Sequence, residues 1–249
     1  MLIYYSPKNK VAIVTGSSKG IGAQIALLLA ASGAKTVINY ANDGTAANDI
    51  VDQIKTAGGE AIAVQADVSN AKQVEAMFDA TIDAFGKPDI LVNSAGIIIC
   101  KPIAETTDED FDRIFSINVK GTFNTLREAA TKLNDGGRIV NLSSTTTRMM
   151  LPTYGTYCAT KGAVDQLTRI FSKEVGARGI TVNAVSPGPT DTELFHEGKA
   201  DDTVERLASM SPFNRIGEPV DIARVVAFLV SEEAAWVTGQ NIGANGGIA

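Results

Sequence analysis

Tyr157 and Lys161 stand four residues apart, and the residues after them carry a helical pattern with Ala163, Leu167 and Ile170 on one face. Residues at that spacing share a helical face, so a phenol and an ammonium sit side by side. A neighbouring positive charge favours the phenolate and is expected to bring the tyrosine pKa down from about 10 towards the working pH. A tyrosine tuned that way can give or take a proton at a carbonyl or alcohol oxygen. An ordinary surface pair would share the spacing, so its meaning depends on what the rest of the chain sets beside it.

A second stretch able to do chemistry is Gly16-Ser-Ser-Lys-Gly20-Ile-Gly22. It follows the short apolar run Val11–Thr15 and precedes the apolar residues Ala23–Ala31, a strand–turn–helix context. Glycines there let the backbone approach a pyrophosphate, with amide groups and a helix dipole facing the anion. A tight turn alone would need only one of them. The spacing differs from the common GxGxxG by placing its extra residues early.

Strand and helix patterns alternate along the whole chain. Strands are expected at Thr36–Tyr40, Ala61–Gln65, Ile90–Val92, Arg138–Leu142, Ile180–Val185 and Gln240–Gly243. Helices are expected at 45–57, around Val74–Ile82, at 108–132, around Lys161, and from Pro219 to Val230, with 191–210 polar and irregular. This alternation predicts an α/β fold, a doubly wound parallel sheet with helices on both faces. Gly16–Gly22, Asp67, Asn93–Gly96, Ser144 and Pro187-Gly188 all fall just after predicted strands, along the sheet edge where ligands bind. With 249 residues and no repeat or linker, a single domain over 1–249 is expected.

Composition narrows the function. A net charge of −6 argues against nucleic acid or an anionic membrane as partner. The longest clear apolar run, Ile25–Ala31, is far short of a membrane span. Two cysteines and no signal-peptide pattern at the start place the chain in the cytoplasm. One histidine, His196, leaves no Ser-His-Asp triad or histidine-rich metal site, so no metal is expected.

Taken together, Thr15-Gly-Ser-Ser-Lys-Gly-Ile-Gly22, Asp67-Val68, Asn93-Ser-Ala-Gly96, Asn118, Ser144, Tyr157-x-x-x-Lys161 and Pro187-Gly188 resemble the short-chain dehydrogenase/reductase family, from about Lys10 to Gly247. The resemblance implies a Rossmann-type sheet of about seven strands, a nicotinamide cofactor and reversible hydride transfer between carbonyl and alcohol. It implies Tyr157 as general acid, Lys161 as the group that lowers its pKa and holds the nicotinamide ribose, Ser144 as a donor to the substrate oxygen, and Asn118 as part of a proton relay. It implies cofactor contacts from Gly16, Ser18, Lys19, Gly20, Ile21, Gly22, Asn39, Tyr40, Ala41, Asn42, Asp67, Val68, Asn93, Ala95, Gly96, Tyr157, Lys161, Pro187, Gly188 and Thr190, a variable substrate lid around 190–212, and a homotetramer paired through helices 108–132 and 156–175. Asp67 could instead cap a helix. Met149, Met150, Leu151 and Tyr154 fall where the family has a wall of the substrate pocket, and an apolar wall suits a hydrophobic ketone. Thr145-Thr-Thr-Arg is bulkier than the small residues common there.

The cofactor is expected to be NADP(H) rather than NAD(H). An NAD-preferring turn places Asp or Glu after the second strand, to hold the ribose 2′-hydroxyl. Here Asn39-Tyr-Ala-Asn42 carries no acid until Asp43, and Lys19 adds a cation. A 3-oxoacyl-carrier-protein reductase is the alternative, although Arg127, Arg148 and Arg169 make no cluster for an acidic carrier. A catalytically silent dinucleotide sensor is a further alternative, opposed by the intact Asn118, Ser144, Tyr157 and Lys161.

Overall fold

The structure, a computed structural model, describes residues 7–197 and 201–249; residues 1–6 at the start and 198–200 within the expected lid lie outside it. Seven parallel strands form one sheet in the order β3-β2-β1-β4-β5-β6-β7. They are β1 (Val11–Thr15), β2 (Lys35–Tyr40), β3 (Ala61–Gln65), β4 (Ile90–Asn93), β5 (Arg138–Leu142), β6 (Thr181–Pro187) and β7 (Asn241–Ala244). Every residue of β1, β4 and β5 is buried, as expected of strands covered on both faces.

Helices cover both faces. On one side lie α1 (Gly20–Ala31), α2 (Gly44–Thr56) and α10 (Pro219–Leu229), whose Ile25, Leu29, Ile50 and Val226 pack on Val14 and Val92. On the other lie α3 (Ala71–Phe85), α5 (Gly121–Lys132) and α7 (Gly155–Glu174), whose Phe78, Leu126 and Phe171 pack on Ile13 and Leu91. Each fully buried side chain of this size contributes roughly 1.5–3 kcal/mol. Two such layers, on a sheet whose strand order reverses between β1 and β4, leave a crevice at the carboxyl ends of those two strands.

The expected helix over 108–132 is present but not uniform. It comprises α4 (Asp108–Phe115), a π turn at Ser116–Lys120, and α5. The Thr107 and Asp110 capping box starts it. The π turn sets Asn118 inward, at 1% exposure. The stretch 191–210, read as irregular, contains two short helices, α8 (Glu193–His196) and α9 (Asp201–Ser209). Between β5 and α7 a further single-turn helix, α6, spans Thr146–Met149. Among the described residues no helix is long and apolar enough to cross a membrane, and no cluster of His, Cys, Asp or Glu could hold a metal ion.

Candidate active site

The glycine turn lies against the loop that leaves β4. Gly16 has φ +62°, and a methyl group there would stand 2.7 Å from the Ala95 Cα. A methyl on Gly22 would collide with the Gly16 carbonyl oxygen. Only bare backbone fits at either point. Thr15 Oγ1 accepts from the amides of Ser94 and Ala95, each at 3.1 Å, which fixes the two loops to each other. Helix α1 has Lys19 at its N-cap, with no side-chain cap and no acidic residue in its first turn. Its leading amides and its dipole therefore stay available to an anion. This cradle, with Ser18, Gly20 and Ile21 in its backbone, fits a pyrophosphate.

Two of the expected cofactor residues have other work. Asn39 is 2% exposed. Its Oδ1 accepts from the Gly16 amide at 3.1 Å, and its Nδ2 donates to the carbonyls of Ala66 and Val64 at 3.0 and 3.3 Å. The side chain pins the glycine turn to the end of β3, and these bonds occupy both its Oδ1 and its Nδ2. Asn93 is buried too: its Nδ2 donates to Asn141 Oδ1 at 2.8 Å, and its Oδ1 accepts from Thr125 Oγ1 at 2.7 Å. Both were expected to contact the dinucleotide, and both side chains are instead bonded inside the protein; they share the strand phase of Val37 and Leu91, on the face covered by α3, α5 and α7.

The remaining positions fall at or just after the carboxyl ends of the strands. Ala41 and Asn42 are exposed beside the turn, Tyr40 is half-buried, and the first acid, Asp43, is occupied capping α2 through the Ala46 amide at 3.0 Å. Asp67 does not cap α3, a task Asn70 performs; Asp67 Oδ1 accepts from the Ser69 amide and hydroxyl at 2.9 and 2.8 Å. Val68 is buried where a methyl on Gly121 would strike it. Gly188 donates its amide to Ala244 at 3.0 Å, and Thr190 Oγ1 turns back onto the Gly188 carbonyl at 2.9 Å, just beyond Pro187. Lys19 Nζ reaches across to Glu193 Oε2 on α8 at 3.1 Å, and His196 Nε2 meets Asp191 Oδ1 at 2.7 Å. His196 thus braces the segment that opens the expected lid.

Ser144, Tyr157 and Lys161 converge at the same edge, 7%, 8% and 6% exposed. Ser144 follows β5, while Tyr157 and Lys161 occupy the first two turns of α7. Lys161 Nζ donates to the Leu142 carbonyl at 2.8 Å and lies 5.6 Å from the centre of the Tyr157 ring. A methyl on Gly96 would stand 3.6 Å from that ammonium and 3.2 Å from Asn118 Oδ1, so the post-β4 loop brings cradle and side chains together. Asn118 Oδ1 accepts from the Ile97 amide at 2.9 Å, and its Nδ2 donates to the Ile97 carbonyl and to Thr160 Oγ1. Its amide is therefore committed to bracing that loop against α7.

The expected lowering of the tyrosine pKa is not found. Burial pushes the Tyr157 phenol up to about 12, against the pull of the Ser144 hydrogen bond. Burial also brings the Lys161 ammonium down to about 8, with Asp165 resisting. The cost of stripping water from a phenolate exceeds what an ammonium 5.6 Å from the ring returns, since that ammonium is bonded to Leu142 rather than to the phenol. The pair rests as phenol and ammonium, which suits a proton donor. Tyr154 stands edge-on to Tyr157, ring centres 6.3 Å apart, Met150 is exposed four residues before Tyr154, and the exposed Ile103 lies against Gly155 at the start of α7.

Comparison with known proteins places this geometry. A family model described as enoyl-(acyl carrier protein) reductase matches residues 16–249. A short chain dehydrogenase/reductase of Cryptosporiopsis sp. is 44% identical over 259 residues, covering 99% of this chain and 98% of the relative. A protein of Arabidopsis thaliana named as an NADPH-dependent aldehyde reductase-like protein, chloroplastic, is 47% identical over 253 residues, covering 96% of this chain and 94% of that one. Among solved structures, the angucycline C-6 ketoreductase LanV with bound NADP superposes with a TM-score of 0.91 at 39% identity, covering 97% of this chain and 96% of that one.

Proposed function

The chain belongs to the short-chain dehydrogenase/reductase family, and we propose that within it the protein is an NADPH-dependent reductase of a ketone or aldehyde, working reversibly through Ser144, Tyr157, Lys161 and Asn118. The observation that carries this reading is the meeting of Ser144, Tyr157 and Lys161, all buried, beside a glycine turn where no side chain fits at Gly16 or Gly22. When bound there, the dinucleotide supplies a hydride. The chain's own residues do the rest. Ser144 donates to the carbonyl oxygen and offsets the charge that develops on it. Tyr157 gives that oxygen its proton. Lys161 compensates the phenolate left behind and holds the ribose. Asn118 keeps the loop after β4 in register with α7, and the proton path to Lys161 runs past it. A panel of carbonyls followed by loss of NADPH absorbance tests the assignment, and no turnover with any member would overturn it. The panel includes an acyl thioester, because the matched family model is described for carrier-protein substrates. Arg127, engaged by the Phe123 ring and Asn124, and Arg148, near the Asn241 carbonyl, remain scattered rather than forming a landing site for an acidic carrier. The half-exposed Met149, Leu151 and Tyr154 and the exposed Met150 favour a hydrophobic ketone over a thioester.

Three features support NADP(H) over NAD(H). No carboxylate stands free after β2, Asp43 being occupied, and Lys19 lies at the turn. The Arabidopsis relative is named for NADPH and the ketoreductase structure holds NADP. Lys19 is paired with Glu193, but at 67% and 80% side-chain exposure the pair is worth at most about 1 kcal/mol, so a 2′-phosphate competes for the lysine. Lys19→Ala is expected to lower the NADPH-to-NADH ratio of kcat/KM by roughly tenfold, the worth of one hydrogen bond to a charged group. An unchanged ratio would remove Lys19 from the account, and a wild-type preference for NADH would remove NADP.

The assembly is a homotetramer, working in the cytoplasm as composition suggests. Supporting it, an apolar groove of about 900 Å³ runs between the outer faces of α4–α5 and α7, lined by Phe115, Val119, Phe123, Leu167 and Ile170. Near the other end of the chain, Trp236 is 98% exposed and Phe228 half-exposed. Patches of this kind mark protein contacts. Sedimentation at micromolar concentration should give four times the chain mass, and a monomer would refute the assembly. The stretch 190–212 closes over substrate as a lid in this reading.

A further inference from the structure

The run Thr145-Thr146-Thr147 is bulky for its place, and each threonine has a separate task. Thr145 Oγ1 donates to the Ser186 carbonyl at 3.0 Å and ties the run to β6. Thr147 Oγ1 donates to the Ser144 carbonyl at 2.9 Å. Thr146 addresses the Ser144 hydroxyl itself: its amide donates to Ser144 Oγ at 3.2 Å, and its Oγ1 lies 2.8 Å from the same atom. Cys158 Sγ, from α7, holds the Thr146 carbonyl at 3.3 Å.

A serine hydroxyl has one proton and two acceptor sites. We propose that Thr146 is a positioning residue whose amide and hydroxyl protons fill both acceptor sites of Ser144 Oγ, leaving the serine proton free to serve Tyr157 and the reacting oxygen. The opposite arrangement, with Ser144 donating to Thr146, would turn its only proton away from the cleft. It would also leave Ser144 able only to accept from the phenol, with no proton to give to a phenolate or to a developing oxyanion. The inference rests on Ser144 and Tyr157 acting as proposed above.

Without the threonine hydroxyl, one acceptor site of Ser144 opens and the serine can accept from the neutral phenol. The phenol is then stabilised, and alcohol oxidation, which needs the phenolate, should require a higher pH. Thr146→Val keeps the shape and the amide. It is expected to lower kcat for carbonyl reduction about five- to tenfold, the effect of one hydrogen bond, with KM for NADPH within about twofold. The midpoint of the pH profile for alcohol oxidation should rise by about half a unit or more, the same loss read on the tyrosine. Thr146→Ser should restore both. Ser144→Ala is measured alongside. If Ser144→Ala is crippled while Thr146→Val keeps the wild-type rate and midpoint, the role of Thr146 is overturned and the site stands. If Ser144→Ala turns over normally, the site reading itself falls, and this inference with it. Should Thr146→Val fail to fold, Thr146→Ser alone decides: a loss of rate there would show that the methyl group, not the hydroxyl, matters.

Discussion

Tyr157→Phe is expected to cut turnover of carbonyl reduction by at least about 10²–10⁴-fold, the range that positioned general acids contribute. The ring stays, so the packing against Tyr154 and the burial of α7 stay with it. What leaves is the single proton held next to the Ser144 hydroxyl. Because burial pushes the phenol up to about 12, it holds its proton at neutral pH, as a donor must. Binding of NADPH, followed by quenching or enhancement of its fluorescence, should change by less than about threefold, since the glycine cradle and Lys161 are untouched. Near-normal turnover in a folded Tyr157→Phe protein would end the assignment of this site.

Asn39→Asp should destabilise the protein rather than change its cofactor. From the residues alone an acid at this position looks like a route to NADH. In the fold, Asn39 Nδ2 faces the carbonyls of Ala66, Val64 and Tyr40, the last at 3.4 Å, and only the Gly16 amide points at Oδ1. A carboxylate there would meet three acceptors with one donor, in a position 2% exposed. The loss of partners and the buried charge together cost about 3 kcal/mol. For a chain of this size that lowers Tm by roughly 6–12 °C. Burial raises the pKa of such an acid, so the loss should shrink as pH falls and the acid takes up a proton. A variant melting within about 2 °C of wild type and preferring NADH would return Asn39 to the ribose. The positions open to cofactor redesign are Ala41 and Asn42, both exposed just after β2.

Asn39 also shows how far the residues alone can be read. Strand and helix positions were legible because valine, isoleucine and alanine runs alternate with helical periods, and seven parallel strands follow from that alternation. The crevice was legible because glycines and polar residues recur just after strands. What was hidden was direction. A strand-end asparagine lies one residue from facing ligand or facing core, and both Asn39 and Asn93 turned inward, towards partners more than twenty residues away in sequence. The π turn at Ser116–Lys120 was hidden because a single extra residue in a helical turn barely disturbs the apolar period. A mid-helix asparagine at 118 was its one trace. The run at Thr145–Thr147 reads only as bulky, since three identical residues give no hint that their hydroxyls meet three different partner atoms. The direction of the tyrosine pKa was not legible, because spacing reports the neighbouring charge but not the loss of water.

The pairing of β1 with β4 has a consequence for how the chain reaches this state. Thr15 lies beside Asn93, and Ala12 beside Ile90, so the two central strands are joined only after two complete strand–helix excursions have been made. Contacts closed over such long loops form slowly, and they cannot nucleate while the ribosome still holds the second partner. Until β4 emerges, β1 offers an unpaired apolar edge with no cover from α5, the condition under which nascent chains aggregate or engage chaperones. The glycine cradle and the loop at Ala95 that walls it are thus among the later features to be completed. A dinucleotide that binds only the finished crevice would act on the last stage of folding, by holding the two halves of the sheet together once they have met.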